Sequence, residues 1–189
     1  MRVISGSAKG IRLTSVPGKS TRPITDQVKE ALFNILGLDI VEKNFLDLFG
    51  GTGAVGIEAL SRGADHAVFL EINYRAYSVI KQNLKTTQLD PYATVKKMDA
   101  FKYLNEDSEL QFDYIYVAPP QYEDIWMKAM AALDRNPNLL ADDGWIIVQI
   151  HPKEMVEDLT YANFCEINRR SYGDTILVFY EKTLPEELL

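Results

Sequence analysis

Cysteine is nearly absent from the 189 residues: Cys165 stands alone, so no internal disulfide can form. The chain has only two histidines, and no His/Cys/Asp/Glu cluster has metal-ligand spacing. A lone thiol suits a reducing compartment, where Cys165 reads as a small apolar filler. No apolar run approaches the roughly 20 residues that cross a bilayer. The start, MRVISGSAKGIRLTS, has no apolar core of a signal peptide, and a soluble cytoplasmic protein is expected. Internal repeats and low-complexity tracts are missing too, and no Ser or Cys nucleophile has a visible base.

What remains is an ordinary globular composition, 47% hydrophobic, enough for one domain over residues 1–189. Nothing points beyond a monomer. The formal charge is −7, unevenly spread. Residues 1–29 hold six bases (Arg2, Lys9, Arg12, Lys19, Arg22, Lys29) against Asp26, a net +5 that leaves −12 for the remainder. A basic, Gly/Ser-containing end on an acidic body can meet a polyanion while the body stays unattracted. Short basic termini are also often simply solvated.

Along the chain, β-rich runs alternate with helical patterns. Strands are expected at 44–49, 66–72, 93–98, 112–118 and 144–150, closed by FCEINRRSY and TILVFYE. Helical windows lie near 54–62, 74–88, 99–105 and 123–134. Alternation of this kind predicts a Rossmann-like α/β fold with a seven-stranded, mostly parallel sheet. The last two strands follow one another through Tyr172-Gly173-Asp174, which leaves room only for an antiparallel hairpin. At the front, RVISG and IRLTSV flank Ser-Ala-Lys-Gly as a small hairpin within a basic extension, residues 1–22. Val28, Ala31, Leu32, Ile35 and Leu36 then mark an amphipathic helix capped by Thr25 or Asp26 and ended by Gly37.

Chemistry concentrates in Asp47-Leu48-Phe49-Gly50-Gly51-Thr52-Gly53-Ala54-Val55-Gly56, which follows the first sheet strand and opens a helix. Gly51-x-Gly53-x-x-Gly56 fits a dinucleotide turn, and Glu71 falls at the tip of the second strand, where a carboxylate can grip a ribose. The spacing alone serves NAD, FAD and S-adenosylmethionine alike. Asp47 discriminates among them: a carboxylate there repels a pyrophosphate but attracts a sulfonium and an ammonium. Asp99, just past the third strand, is placed to accept from an adenine amino group, although an acidic helix cap would look the same.

Several blocks together resemble one family: RVISGSAKGIRL, TRPITDQVKEALFNIL, LDLFGGTGAVGIEALSRGA, FDYIYVAPPQY and RRSYGDTILVFYEK. They are similar to the bacterial small-subunit (16S) ribosomal RNA guanine-N2 methyltransferases, RsmD-like members of the class I S-adenosylmethionine-dependent enzymes. That resemblance implies S-adenosyl-L-methionine held by Asp47, Phe49, Gly51, Thr52, Gly53, Glu71 and Asp99. The Arg22 to Thr25 segment would lie over the cofactor or the target pocket. The partner implied is 16S rRNA, alone or in a partly assembled small subunit, with the basic segment carrying Arg2, Lys9, Arg12 and Arg22 on its phosphates.

One departure matters. The family ends its fourth strand in Asp-Pro-Pro-Tyr or Phe, whereas this chain has Ala118-Pro119-Pro120-Gln121-Tyr122. An exocyclic guanine amine is a poor nucleophile and needs acceptors that aim its lone pair at the methyl group. Ala118 removes the side-chain acceptor, while the Pro119 carbonyl survives, Gln121 offers an amide oxygen and Tyr122 a stacking face. The other readings are a methyltransferase fold that kept RNA binding or an assembly role without turnover, and, on glycine spacing alone, a nicotinamide oxidoreductase. His66, His151, Tyr116 and Trp126 are expected to be structural: a solvent-facing strand start, a turn or cap, and two core aromatics, with Trp126 able to edge the pocket.

Overall fold

The computed structural model describes residues 1–17, 24–106, 110–121 and 123–183. Seven strands form a single sheet: β1 (Asn44–Asp47), β2 (His66–Leu70), β3 (Ala93–Lys96), β4 (Phe112–Val117), β5 (Leu140–Ile150), β6 (Phe164–Tyr172) and β7 (Thr175–Lys182). Their spatial order is β3-β2-β1-β4-β5-β7-β6. The first five are parallel, and β7 inserts antiparallel between β5 and β6. The mostly parallel sheet and its closing hairpin thus stand as expected, and it is the hairpin's second strand that docks on β5.

Alternation along the strands feeds two cores. Phe45, Phe69, Tyr114, Ile147 and Phe179 face α1 (Asp26–Leu36), α2 (Ala54–Ser61) and α3 (Tyr74–Thr87). Leu46, Val68, Ile115, Val148 and Val178 face α4 (Ala100–Leu104) and α5 (Ile125–Arg135). Trp126 lies fully buried in that second core. Thr25 caps α1 by accepting from the Val28 amide at 3.2 Å, and Gly37 ends it at φ +59°. α2 lies so close on β2 that a Cβ at Gly56 would stand 2.4 Å from the Phe69 ring.

β5 starts four residues earlier than the sequence implies. Ala141-Asp142-Asp143-Gly144 looks like a turn, but the chain bulges there: Phe112 pairs with Leu140, while Tyr114 already pairs with Trp145. The N-terminal hairpin is also shorter than expected. Only Arg2 and Arg12 form a ladder rung, because the next amides bond elsewhere. Ile4 and Ser5 donate to the two carboxylate oxygens of Glu58 on α2, at 2.8 and 2.9 Å.

Glu58 is fully buried, and so is the Lys29 ammonium 3.1 Å away. Lys29 also donates to the Arg2 carbonyl at 2.6 Å, and Arg62 donates to Glu58 at 2.8 Å. One carboxylate therefore joins the N-terminal segment, α1 and α2. Breaking a buried pair from one side strands a charge and costs about 3–5 kcal/mol. Glu58→Ala is expected to lower the urea-unfolding free energy by about that amount, and the Lys29→Met/Glu58→Leu double variant by less than the sum of its singles. Hydrogen exchange should show the Ile4 and Ser5 amides losing protection first.

Candidate active site and cofactor cleft

Strand order reverses where β1 meets β4, and a cleft opens there at the carboxyl ends of the parallel strands. It has a volume of about 970 Å³ and is bordered by the turns after β1, β2, β3 and β4. Val16, Pro17 and Ile24 also line it, so the chain on either side of residues 18–23 closes one wall.

The turn after β1 is built from glycine because its backbone demands it. Gly53 holds φ +77° as the residue that opens α2, a conformation costly to any side chain. Beneath the turn, the backbone amides of Phe49 and Gly56 are turned toward the Asp47 carboxylate. Asp47 is 2% exposed, and its Oδ1 is buried without a hydrogen-bond partner among the described residues. Desolvation lifts its pKa to about 7, with a smaller contribution from the neighbouring Glu71 charge. A buried acid left half-paired at the wall of a cleft is a receptor for a positive group, and its charge opposes a pyrophosphate.

Glu71 stands across the turn, its Oε2 accepting from Gly51 N at 2.9 Å and its Oε1 from Asn73 N at 2.7 Å. Both bonds fix the carboxylate, and each oxygen keeps a further lone pair for a diol. Asp99 caps α4 through Oδ1, which accepts from the Lys102 amide at 3.0 Å. It is thus both the helix cap that its sequence context allowed and a residue of the cleft wall. Ile72, Met98 and Phe101 add apolar surface between these acids.

The opposite lip is Ala118-Pro119-Pro120-Gln121, all four lining the cleft. Gln121 also borders a second, smaller cavity of about 200 Å³, formed with Thr25, Gln27, Tyr172 and Asp174. Gln149, on β5, lines both spaces. Its Oε1 accepts the hydroxyl of Tyr116, a buried phenol whose pKa is pushed up by desolvation and then by Asp47, its cross-strand partner. A neutral phenol has a proton to donate, so it engages the Gln149 amide oxygen and leaves the amide N–H groups uncommitted among the described residues.

Asp47, Phe49, Gly51, Thr52, Glu71, Asp99, Pro119 and Gln121 are brought together around the cleft. Gly53 shapes the turn without lining it, and Thr25 sits in the smaller cavity as the α1 cap rather than on the main cleft wall. Arg2, Lys9 and Arg12 are exposed on the N-terminal segment, with Arg2 3.6 Å from Asp26. Arg22 and Tyr122 lie outside the described residues. His151 is a cap, accepting from Lys153 N in a reciprocal box with Glu154. Three side chains differ from expectation. Cys165 is exposed on β6, an edge strand whose outer residues have no neighbour to cover them. His66 is half-buried and bonded to Thr94 at 2.9 Å. Tyr116 is buried but bonds a site residue instead of serving only as core. Gln149 was overlooked, although a lone amide in the apolar run GWIIVQI is a visible signal.

A family profile described as "Conserved hypothetical protein 95" matches residues 1–181. A Bacillus subtilis protein named "Putative rRNA methyltransferase YlbH" is 40% identical over 184 residues, covering 96% of this chain and 99% of the relative. The Escherichia coli "Ribosomal RNA small subunit methyltransferase D" is 34% identical over 146 residues, 77% of this chain and 69% of its own length. The chain belongs to this methyltransferase family. A solved Escherichia coli structure, "Putative methyltransferase yhhF", superposes on it with a TM-score of 0.84 at 30% identity, covering 96% of this chain and 97% of that one. The methyltransferase resemblance and the Rossmann-like fold read from the sequence are thereby established. Among the described residues no helix is long and apolar enough to cross a membrane, and no cluster of three metal-ligating side chains occurs.

The raised Asp47 pKa makes this methyltransferase less stable than it need be when no ligand is bound. The folded state holds a proton that the unfolded chain, at its ordinary 3.8, gives up. Asp47 therefore lowers stability as pH climbs from about 4 to about 7. Asp47→Asn is expected to be more stable than wild type above pH 7, by at most roughly 4 kcal/mol. The gain should vanish near pH 4 in paired urea titrations.

Proposed function

We propose that this chain methylates the N2 amine of a guanine in 16S rRNA, with S-adenosyl-L-methionine as methyl donor. The observation that carries the reading is the buried, half-paired Asp47 carboxylate at the cleft wall. It suits a ligand bearing a cation and no phosphate, and Glu71, held by two backbone amides, suits ribose hydroxyls. The cofactor supplies an electrophilic methyl group on a sulfonium; positioning the amine falls to the protein.

That work divides along the lip. The Pro119 carbonyl has no following N–H to compete for the space beside it, since residue 120 is also proline. Gln121 has no hydrogen-bond partner among the described residues and borders both cavities, so its amide oxygen can take the place of the missing aspartate. Together they would hold the two N–H groups of a guanine amine and favour a pyramidal nitrogen. Gln149, its oxygen occupied by Tyr116, presents N–H groups that fit the guanine O6 and oppose the amino group of adenine. Tyr122 would stack on the extruded base, and the basic N-terminal segment with Arg2, Lys9, Arg12 and Arg22 would meet phosphates.

Losing a charge-assisted hydrogen bond costs about 1.5–3 kcal/mol. A weaker neutral acceptor in its place slows such an enzyme without stopping it.

Two measurements test the reading. Gln121→Ala should lower methyl transfer to unmodified 16S rRNA by about ten- to a hundred-fold while leaving S-adenosylhomocysteine affinity unchanged. Cofactor binding without transfer to any ribosomal substrate would instead mark an RNA-binding module. S-adenosylhomocysteine, whose ammonium holds Asp47 ionised, should bind with proton release below pH 7. Its affinity is expected to rise with pH and level off above about 7. An affinity independent of pH would detach Asp47 from the cofactor.

A further inference from the structure

The N-terminal segment is not the only basic part of the chain. Residues 74–97 carry Arg75, Lys81, Lys85, Lys96 and Lys97 against Asp90 alone, a net +4. With the +5 of residues 1–29, this leaves −16 on the remainder of a chain whose total is −7. The two basic segments touch: Thr14 and Asn83 of α3 exchange hydrogen bonds of 2.8 and 3.0 Å. The basic α3 segment therefore packs beside the N-terminal segment, whose Arg2, Lys9 and Arg12 are exposed.

Residues 74–97 also hold aromatic rings in an ordered row. Tyr74 stacks on Tyr77 with centroids 6.3 Å apart and planes 29° apart. The Lys97 ammonium lies 5.3 Å from the Tyr74 ring, and the Lys81 ammonium 5.5 Å from the Tyr77 ring. The row reads Lys97, Tyr74, Tyr77, Lys81, with both cations held over ring faces instead of free in solvent. Lysines so restrained lose less entropy when they meet an anion. Tyr74 is 66% exposed and Ile72 64% exposed, a large uncovered apolar surface beside the charges. Ile72 and Arg75 belong to the cleft wall as well, so the ledge starts at the mouth of the site.

We infer that this ledge on α3 and the end of β3 is a second RNA-docking surface, gripping phosphates of the strand that flanks the target nucleotide. An anionic membrane would also attract the charge, but it needs a broader apolar face than Ile72 and Tyr74 provide. Spaced cations with rings between them match a nucleic-acid backbone better. The inference rests on the reaction proposed above only for which RNA is bound.

The test is retention of unmodified 16S rRNA across a salt series, using the full chain. Lys81→Glu/Lys97→Glu should weaken binding roughly tenfold or more at physiological salt, and the log–log salt slope should flatten by about 1.4. S-adenosylhomocysteine affinity should stay within twofold. Lys81→Gln/Lys97→Gln, which only neutralises the charges, should shift both quantities the same way by less, and it decides the matter if the reversal variant misfolds. Unchanged RNA affinity and slope in a variant that still binds S-adenosylhomocysteine overturn the ledge. So does binding to phosphatidylserine vesicles without RNA binding. Wild-type protein that binds 16S rRNA through these lysines yet methylates nothing in it refutes the proposed reaction and leaves the ledge standing.

Discussion

The architecture around the cleft depends on one buried carboxylate. Glu58 is reached by four donors, the Ile4 and Ser5 amides, Lys29 of α1 and Arg62 at the C-terminal cap of its own helix. Without it the N-terminal segment would have no reason to leave its hairpin ladder and lie across α1 and α2. That segment runs on to Thr14, tied to α3, and to Val16 and Pro17 in the cleft wall. An ion pair with no exposure is a poor source of net stability, because desolvation consumes most of the attraction. Its contribution here is specificity: few arrangements of three segments can satisfy so many donors at once.

Asp47 shows the opposite economy. Where Glu58 is saturated, Asp47 is left with a bare oxygen, and its raised pKa records the imbalance. The same helix meets both acids, since the Gly56 backbone lies near Asp47 and Glu58 follows two residues on. The fold thus anchors α2 through a fully paired acid on the helix itself and leaves an acid with a bare oxygen at the end of β1, where a ligand can complete it.

Much of this was legible in the residues. The short β-rich runs in NFLDLF, HAVFLEI and FDYIYVA placed β1, β2 and β4, and the glycine turn with its three acids located the cleft. Local patterns could not reveal the bulge before Trp145, where a turn-like tetrapeptide is carried within a strand by the pairs that Leu140 and Trp145 make with β4 on either side of it. Nor could they show that hydrogen bonds to Glu58 would cut the N-terminal ladder to one rung. Tyr116 looked like core because buried phenols usually are, and only the approach of Gln149 from β5 reveals its second task. The ledge was hidden for a similar reason. Lys97 directly follows β3 and comes over the Tyr74 ring only once sheet and helix are assembled.

Tyr116 sits between two halves of the site that sequence separates by about a hundred residues. Asp47 faces it across the β1–β4 register, and Gln149 takes its hydroxyl. The ligand-holding acid and the lip-facing amide therefore share one phenol, and a change at either position alters the field or the bond felt by the other. Positions 47, 116 and 149 should behave as a single heritable unit. A lineage that relaxed one of them would be under pressure to adjust all three, and a substitution tolerated in one relative would be harmful when moved alone into another.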